Sequence, residues 1–415
     1  MNSKIVILGA GCFGTSTAYH LLQRGFQDVT IIERSDEFPA KDASSNDINR
    51  IVRTSYPDPF YAKLAKEAIH SWKEDVDIWG DSYHESGVLV LGASDYAHNA
   101  FLNDVQQGLR IEQFEQSSTI RASFPPISLS NDTRGYLNHD GGWVDAGKAT
   151  LLLTKKVMSL GGKLILGKRA TKLIRKEGTT QAVGCDDGTI VESSLVVVAT
   201  GPWTPSIFPE LGYNDNSVAT GQGVAMIQLS EEEAMIYRDV PVILNFSTGF
   251  YCFPPTKDNI VKMAIHAPGF THTVGNISTP RTVISHPDDG LFIPKTYAQR
   301  LRDEFAAVFP ELAKKPFSNT RLCWYNDSPD SDWIIGRHPT DPSIMFATGG
   351  SGHAFKFLPV IGRIVADAIQ GTLDPVLEQK FAFNRKITHV DDSRNGSGMF
   401  RKELDVNELC GPENQ

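Results

Sequence analysis

The chain contains no apolar run near the ~18 residues needed to cross a bilayer. It also has no basic excess: 40 lysines and arginines stand against 49 acidic side chains, a net charge of −9. The first absence excludes a membrane-spanning helix. The second removes the usual footprint for nucleic acid and any electrostatic reason to sit on an anionic lipid surface. Cysteine is scarce as well. Cys12, Cys185, Cys252, Cys323 and Cys410 are the full set, and none forms a CxxC pair. That excludes a zinc ribbon or a thioredoxin-like site, and the odd, sparse set predicts a reducing compartment. No internal repeat and no cluster with metal-ligand spacing is present. Lys4 with Ile5–Leu8 is too short for a secretory signal and runs straight into a glycine turn. With no Ser-Lys-Leu-type ending, the expected location is cytoplasmic. What remains is ordinary globular composition, 40% hydrophobic, with enough length for two to three domains of ~150 residues.

The first 33 residues carry the most specific signal. Ile5–Leu8 reads as a strand buried on both faces, followed by Gly9-Ala-Gly11-Cys-Phe13-Gly14. A helical pattern follows over Thr15–Arg24, capped by Gly25. A second strand, Asp28–Glu33, ends in an acid. Gly9 permits a tight turn, Gly11 lets backbone approach a pyrophosphate, and Gly14 allows close helix–strand packing. The helix N-terminus then offers N–H groups and partial positive charge to phosphate, and Glu33 offers an acceptor to ribose hydroxyls. This strand–turn–helix context makes a dinucleotide site the reading of the motif.

Further cofactor-type strands lie far downstream. Leu195–Val198 runs into Thr200-Gly201-Pro-Trp203, and Ile344–Ala347 runs into Thr348-Gly-Gly350-Ser-Gly352-His353-Ala-Phe-Lys356. A helix is expected from about Pro359 to Ile369, another at Ala149–Leu160, an amphipathic one at Thr296–Phe309, and a hairpin turn at Asp186–Gly188. A nicotinamide dehydrogenase would more often complete its nucleotide unit in one run. The broken pattern predicts an α/β (α+β) fold: a discontinuous Rossmann-like nucleotide domain at 1–83, 140–225 and 318–390, with an inserted mixed-sheet domain at 84–139 and 226–317. Residues 391–415 are polar and charged, a C-terminal tail whose order the sequence leaves open.

Several segments together resemble the sarcosine oxidase-like family of FAD-dependent amine oxidases. That family includes monomeric sarcosine oxidase, pipecolate and saccharopine oxidases, and fructosyl amino acid oxidases. Cys323-Trp-Tyr-Asn-Asp-Ser-Pro-Asp330 with Trp333-Ile-Ile-Gly336 is similar to the segment whose cysteine bonds the flavin 8α-methyl. Gly350-Ser-Gly352-His353-Ala-Phe-Lys356 is similar to the GSGHxFK motif. Asn49-Arg50-Ile-Val-Arg53 resembles the active-site segment after the second strand, and Lys262-Met-Ala-Ile-His266 the strand whose lysine faces the flavin. The resemblance covers residues 4–375.

The resemblance implies FAD linked covalently at Cys323, with Gly9, Gly11, Phe13, Gly14, Glu33, Arg34, Ser45, Gly201, Trp203, Gly350, Gly352, His353 and Lys356 around it. It implies Arg53 and Lys356 as a clamp for a substrate carboxylate, and Lys262, Tyr251, Arg50 and His266 as further site residues. Tyr251 and Phe253 could form an aromatic wall or simply be core. The implied reaction is oxidation of the CH–NH bond of an N-substituted amino acid. Hydride passes to flavin N5, the imine hydrolyses, and O2 becomes hydrogen peroxide in a monomeric enzyme. One departure stands out. Where sarcosine oxidase has a histidine pair, this chain has Ser44-Ser45-Asn46-Asp47. That pattern is closer to the saccharopine, pipecolate and fructosyl branches and points to a secondary amine larger than sarcosine. A fructosyl amino acid oxidase, a biosynthetic amine oxidase, a nicotinamide-linked dehydrogenase and a non-catalytic flavoprotein remain as alternatives.

Overall fold

The computed structural model describes residues 3–213 and 216–414. A six-stranded sheet runs in the order Ile334–His338, Asp341–Thr348, Leu195–Val198, Ile5–Leu8, Val29–Ile32, Lys163–Ile165. All neighbours are parallel except the first pair. Strands with both faces covered read as unbroken apolar runs, and Ile5–Leu8 and Leu195–Val198 are buried at every position. Their alternation divides two layers. Ile5 and Ile7 join the core beneath helices Cys12–Gln23, Ala146–Ser159 and Ile361–Gln370. Val6 and Leu8 face a three-stranded sheet, Ala170–Lys176, Thr179–Cys185 and Ile190–Glu192, whose last two strands are joined at the expected Asp186–Gly188 turn.

The second layer is a ten-stranded sheet. Its order is Lys402–Glu403, Phe270–Thr271, Val218–Gln228, Ile260–Ile265, Phe250–Cys252, Val242–Asn245, Val88–Leu91, Gly135–Asn138 and Ile111–Phe114, with Asn319–Asp327 paired along Val218–Gln228. Period two again decides the faces. Val261, Met263 and Ile265 pack under helix Lys295–Val308, together with Phe250, Cys252, Leu322 and Trp324. The alternate positions, Ala264, Val224, Met226 and Cys323, turn the other way and meet Ile48, from the loop ahead of strand Arg50–Val52.

One expectation is corrected here. The expected limits at 225 and 318 cut Val218–Gln228 in two and assign Asn319–Asp327 to the nucleotide domain. Both strands lie in the large sheet, registered from Val218↔Asp327 to Met226↔Asn319. An alternating strand does not declare which sheet it joins; only its long-range partner does. The sequence left the order of the tail open, and residues 391–414 carry structure. Lys402–Glu403 adds to Phe270–Thr271, and Leu409–Cys410 pairs with Ile293–Pro294. Its order comes from sheet edges and a buried ion pair rather than from apolar content of its own. Among the described residues no helix is long and apolar enough to cross a membrane.

Candidate active site

The first glycine turn is built as its spacing requires. Gly9 has φ +99°, and a Cβ on Gly14 would lie 1.9 Å from the Gly9 carbonyl oxygen, so only glycine lets the helix start this close to the strand. Ser45 comes from a distant loop to the helix N-terminus, where its Oγ accepts from Cys12 N at 2.9 Å. The Glu33 carboxylate accepts from Ala10 N at 3.0 Å and Ser35 N at 3.1 Å, so it braces the turn while keeping lone pairs for a ribose. Arg34 lies 4.1 Å over the Trp203 ring beside Gly201 and pairs with Asp42 at 2.7 Å. Phe13 sits edge-on to Trp333, and a Cβ on Gly350 would touch Phe13 at 3.4 Å. The two glycine turns therefore converge.

The inner face of the large sheet carries the second cluster. Arg321, Cys323 and Tyr325 alternate along one strand, and Lys262 and Tyr251 project from two others. Loop 44–50 closes on them. Asp47, 1% exposed in its side chain, accepts from Lys262 at 3.0 Å, from Arg321 at 2.8 Å and from Arg50. With Lys262 protonated, three cations against one carboxylate leave a local net charge of +2 in a buried site. Burial would raise the Asp47 carboxyl, but Arg321, Arg50 and Lys262 together hold it well below the usual carboxylate range. Burial pushes the Lys262 ammonium down to about 7, against the pull of Asp47. Lys262 Nζ also donates to the Asn49 carbonyl, and Arg50 donates to Cys323 Sγ at 3.2 Å. The Asn49 side chain is fully buried with neither amide atom partnered. Buried polar atoms are almost always satisfied, so this amide marks a place for a polar group that the chain itself does not supply.

Beside this cluster lies a cavity of about 230 Å³, lined among others by Arg53, Tyr56, Tyr96, Phe246, Tyr251 and Lys356. Arg53 is 7% exposed and lies 4.5 Å over the Tyr56 ring; it also donates to the Ser55 carbonyl. Lys356 is 5% exposed and donates to Tyr56 Oη at 2.6 Å and to the His353 carbonyl at 2.8 Å. Neither forms an ion pair among the described residues. Burial first, and then Arg53, press the Lys356 ammonium well below its usual value. Burial and Lys356 push His353 down to about 3, so its ring is neutral. Its Nε2 then donates to Ser331 O at 2.9 Å, and its Nδ1 accepts from Tyr56 Oη at 3.1 Å. His266 contacts Ser393 Oγ at 3.0 Å and is held neutral by burial and by Arg394 and Arg53.

Residues 4–368 match the FAD dependent oxidoreductase (DAO) family. The chain belongs to that family. It is 31% identical to L-saccharopine oxidase of Schizosaccharomyces pombe over 402 residues, covering 90% of this chain and 91% of that protein. It is 27% identical to peroxisomal sarcosine oxidase of Homo sapiens, covering 87% and 90%. Among solved structures, fructosamine oxidase (Amadoriase II) of Aspergillus fumigatus in complex with FSA superposes with a TM-score of 0.85 at 26% identity, covering 99% of this chain and 97% of that one.

As a member of the DAO family the chain is an FAD-dependent oxidoreductase, and its residues fit the cofactor. The glycine cradle and Glu33 suit the nucleotide half, and the unpaired Asn49 amide beside a +2 cluster suits a polar ring that gains negative charge. The site residues expected from sequence fall into these places: Lys262, Arg50 and Cys323 in the cationic cluster, and Arg53, Lys356, Tyr251, His266 and His353 around the cavity. A Cβ on Gly352 would lie 2.4 Å from the Tyr325 ring, which ties the second glycine turn to the large sheet. Sequence reasoning missed Asp47, Tyr56, Tyr96 and Arg321. Tyr56 and Asp47 sit three residues from the predicted Arg53 and Arg50, so the polar segment 44–56 held the signal. Arg321 shares a face with Cys323, and alternation would have found it.

Proposed function

We propose that this enzyme oxidises the CH–NH bond of an N-substituted amino acid and uses O2 as the electron acceptor. The observation that carries the reading is the Arg53–Lys356 pair: two buried basic side chains in a largely aromatic cavity that form no ion pair among the described residues. A buried charge without a partner is costly, and a bidentate guanidinium matches a carboxylate. Arg53 and Lys356 bind the substrate carboxylate. Tyr56, fixed between Lys356 and neutral His353, holds the ammonium in position. Tyr96, Phe246 and Tyr251 exclude water around the amine. FAD, when bound, takes the electron pair of the CH–NH bond and delivers it to oxygen. The amine and O2 give an imine and hydrogen peroxide, and water then splits the imine into a carbonyl compound and an amine. We read the enzyme as a monomer that binds no nucleic acid and no membrane.

The test is peroxide release from sarcosine, pipecolate, saccharopine and fructosyl-valine. Turnover of at least one of the first three, with peroxide matching amine consumed, is expected. Turnover of fructosyl-valine alone would move the reading to a fructosyl amino acid oxidase, which the solved relatives favour. No peroxide from any of them would sink it.

The same reading includes covalent attachment of FAD through a thioether at Cys323. The new C–S bond would replace the thiol S–H and one C–H of the 8α-methyl, with the two electrons passing through the flavin to O2; a thiol sulfur is a far better nucleophile than a serine hydroxyl, and Arg50 fixes the sulfur by its 3.2 Å contact. Acid precipitation of the wild type is expected to leave the yellow colour in the pellet. Cys323→Ser should release it to the supernatant. Wild-type flavin that comes free in acid would remove the link.

A further inference from the structure

Helix Asp95–Gln106 belongs to the inserted segment of the chain, yet one of its faces is turned to the residues around the 230 Å³ cavity. Tyr96, Ala100 and Asn103 recur at helical spacing and share a side, with Asp104 next to them. Ala100 and Asp104 are fully buried, whereas Leu102 and Val105 are half exposed. At the first turn, Tyr96 lines the cavity, packs on Phe246 with ring centroids 4.6 Å apart and contacts the Arg53 guanidinium. At the last turn, the helix holds the segment that follows Arg53. Asn103 gives both protons of its amide to it: Nδ2 donates to the Tyr56 carbonyl at 2.8 Å and to the Pro57 carbonyl at 2.8 Å. Asp104 fixes the residue before: its Oδ2 accepts from Ser55 Oγ at 3.1 Å, and from Tyr136 Oη and Asn138 Nδ2 at 3.3 Å each.

The segment depends on such partners. Residues 53–58 lie between strand Arg50–Val52 and helix Pro59–Glu74 and form no helix or strand of their own. No ladder pairs their backbone, and carbonyls away from water must be met by some other donor. What the segment carries is the centre of the cavity. The Tyr56 ring lies 4.5 Å beneath the Arg53 guanidinium, and its hydroxyl accepts from Lys356 Nζ at 2.6 Å and donates to His353 Nδ1 at 3.1 Å. One side chain therefore sets the positions of both basic groups relative to each other. A tyrosine ring has few rotamers, so its place follows from its own backbone, and Asn103 holds that backbone on both sides of the Tyr56–Pro57 bond.

We infer that Asn103 is a positioning residue for substrate binding: it fixes Tyr56 so that Arg53 and Lys356 converge on a single carboxylate. The inference rests on the reading of Arg53 and Lys356 as the carboxylate clamp. Asn103 does not line the cavity, so it acts only through residues that do. Such support matters because a displacement of about 1 Å, caused far from the chemistry, is enough to cost roughly 10²-fold in rate.

The experiment is a double-mutant cycle on the flavin-loaded enzyme, titrated with propionate and followed by the visible flavin absorbance. Asn103→Ala should weaken propionate binding about tenfold through the loss of two hydrogen bonds that hold Tyr56. In an Arg53→Ala background the same change should cost about threefold or less, because one of the groups it positions is gone. Asn103→Asp keeps the size of the side chain and removes both amide protons; it should give the same two results, including where the alanine variant does not fold. Melting temperature is measured in parallel. A variant that melts earlier but binds propionate as the wild type does shows a merely structural role and overturns the inference. Equal losses with and without Arg53 overturn it too, and leave the clamp standing. Propionate affinity unchanged by Arg53→Ala alone removes the clamp, and the inference with it.

Discussion

Lys262→Met is expected to slow the reaction of the reduced enzyme with oxygen by ~10²–10³, the usual effect of deleting one preorganised charge at a site where charge develops. Its reduction by substrate should stay near the wild-type rate. The first electron taken by oxygen creates superoxide, an anion, and the Lys262 ammonium is fully buried where water does not screen it. Methionine keeps the length and bulk of the side chain, so a packing effect is separated from a charge effect. The pH dependence adds a second check. With the ammonium lowered to about 7, lysine is charged below that pH and neutral above it. Oxygen reactivity should therefore be highest in mild acid and fall as pH rises through neutrality. The variant, with no proton to lose, should give a low and flat profile. Stopped-flow of the two half-reactions across this range decides it. A variant whose reduced form meets oxygen at the wild-type rate would show that the charge acts elsewhere.

The placement of Lys262 shows what the sequence made legible. Val261, Met263 and Ile265 alternate with Ile260, Lys262 and Ala264, so the lysine had to leave the face that carries the core. The glycine turn and its acid were equally plain, because that chemistry is local: six residues, one helix start, one strand end. The ionic frame was not. Asp47 binds Arg321 and Lys262 across more than 200 residues, and Arg394 binds Asp327 across 67. An ion pair of that span leaves no period or spacing to read. Glu33 shows the intermediate case. Its position was predictable, but its work in bracing Ala10 and Ser35 depends on the turn's exact geometry. The polar stretch after Asp391 has little to bury, so its order was not legible in the sequence. Its order is supplied by partners elsewhere, above all Asp327.

Arg53→Ala is expected to weaken carboxylate binding by roughly 2–5 kcal/mol, the cost of removing one partner from a buried, hydrogen-bonded charge pair. Flavin content should be unchanged, since Arg53 contacts Tyr56, Tyr96 and Phe246 rather than the cationic cluster. Lys356 adds a pH signature that Arg53, always charged, does not have. Its ammonium is held well below its usual value by burial and by Arg53. A bound carboxylate favours the charged form, so binding should draw a proton onto Lys356. The sign follows: affinity is greatest where Lys356 is already protonated, and it falls as pH rises through the lowered value. Lys356→Met should bind more weakly at low pH and lose that slope. Arg53→Ala should keep the slope but move it to higher pH, because the repulsion that lowers Lys356 is gone. The two cations share one anion, so the double variant should lose a different amount from the sum of the single losses. Titration of a non-oxidisable carboxylate against the four proteins at several pH values measures all of this. Equal weakening towards an amide that lacks the carboxylate, or a slope that survives in Lys356→Met, would show that the substrate's negative charge is held by other groups.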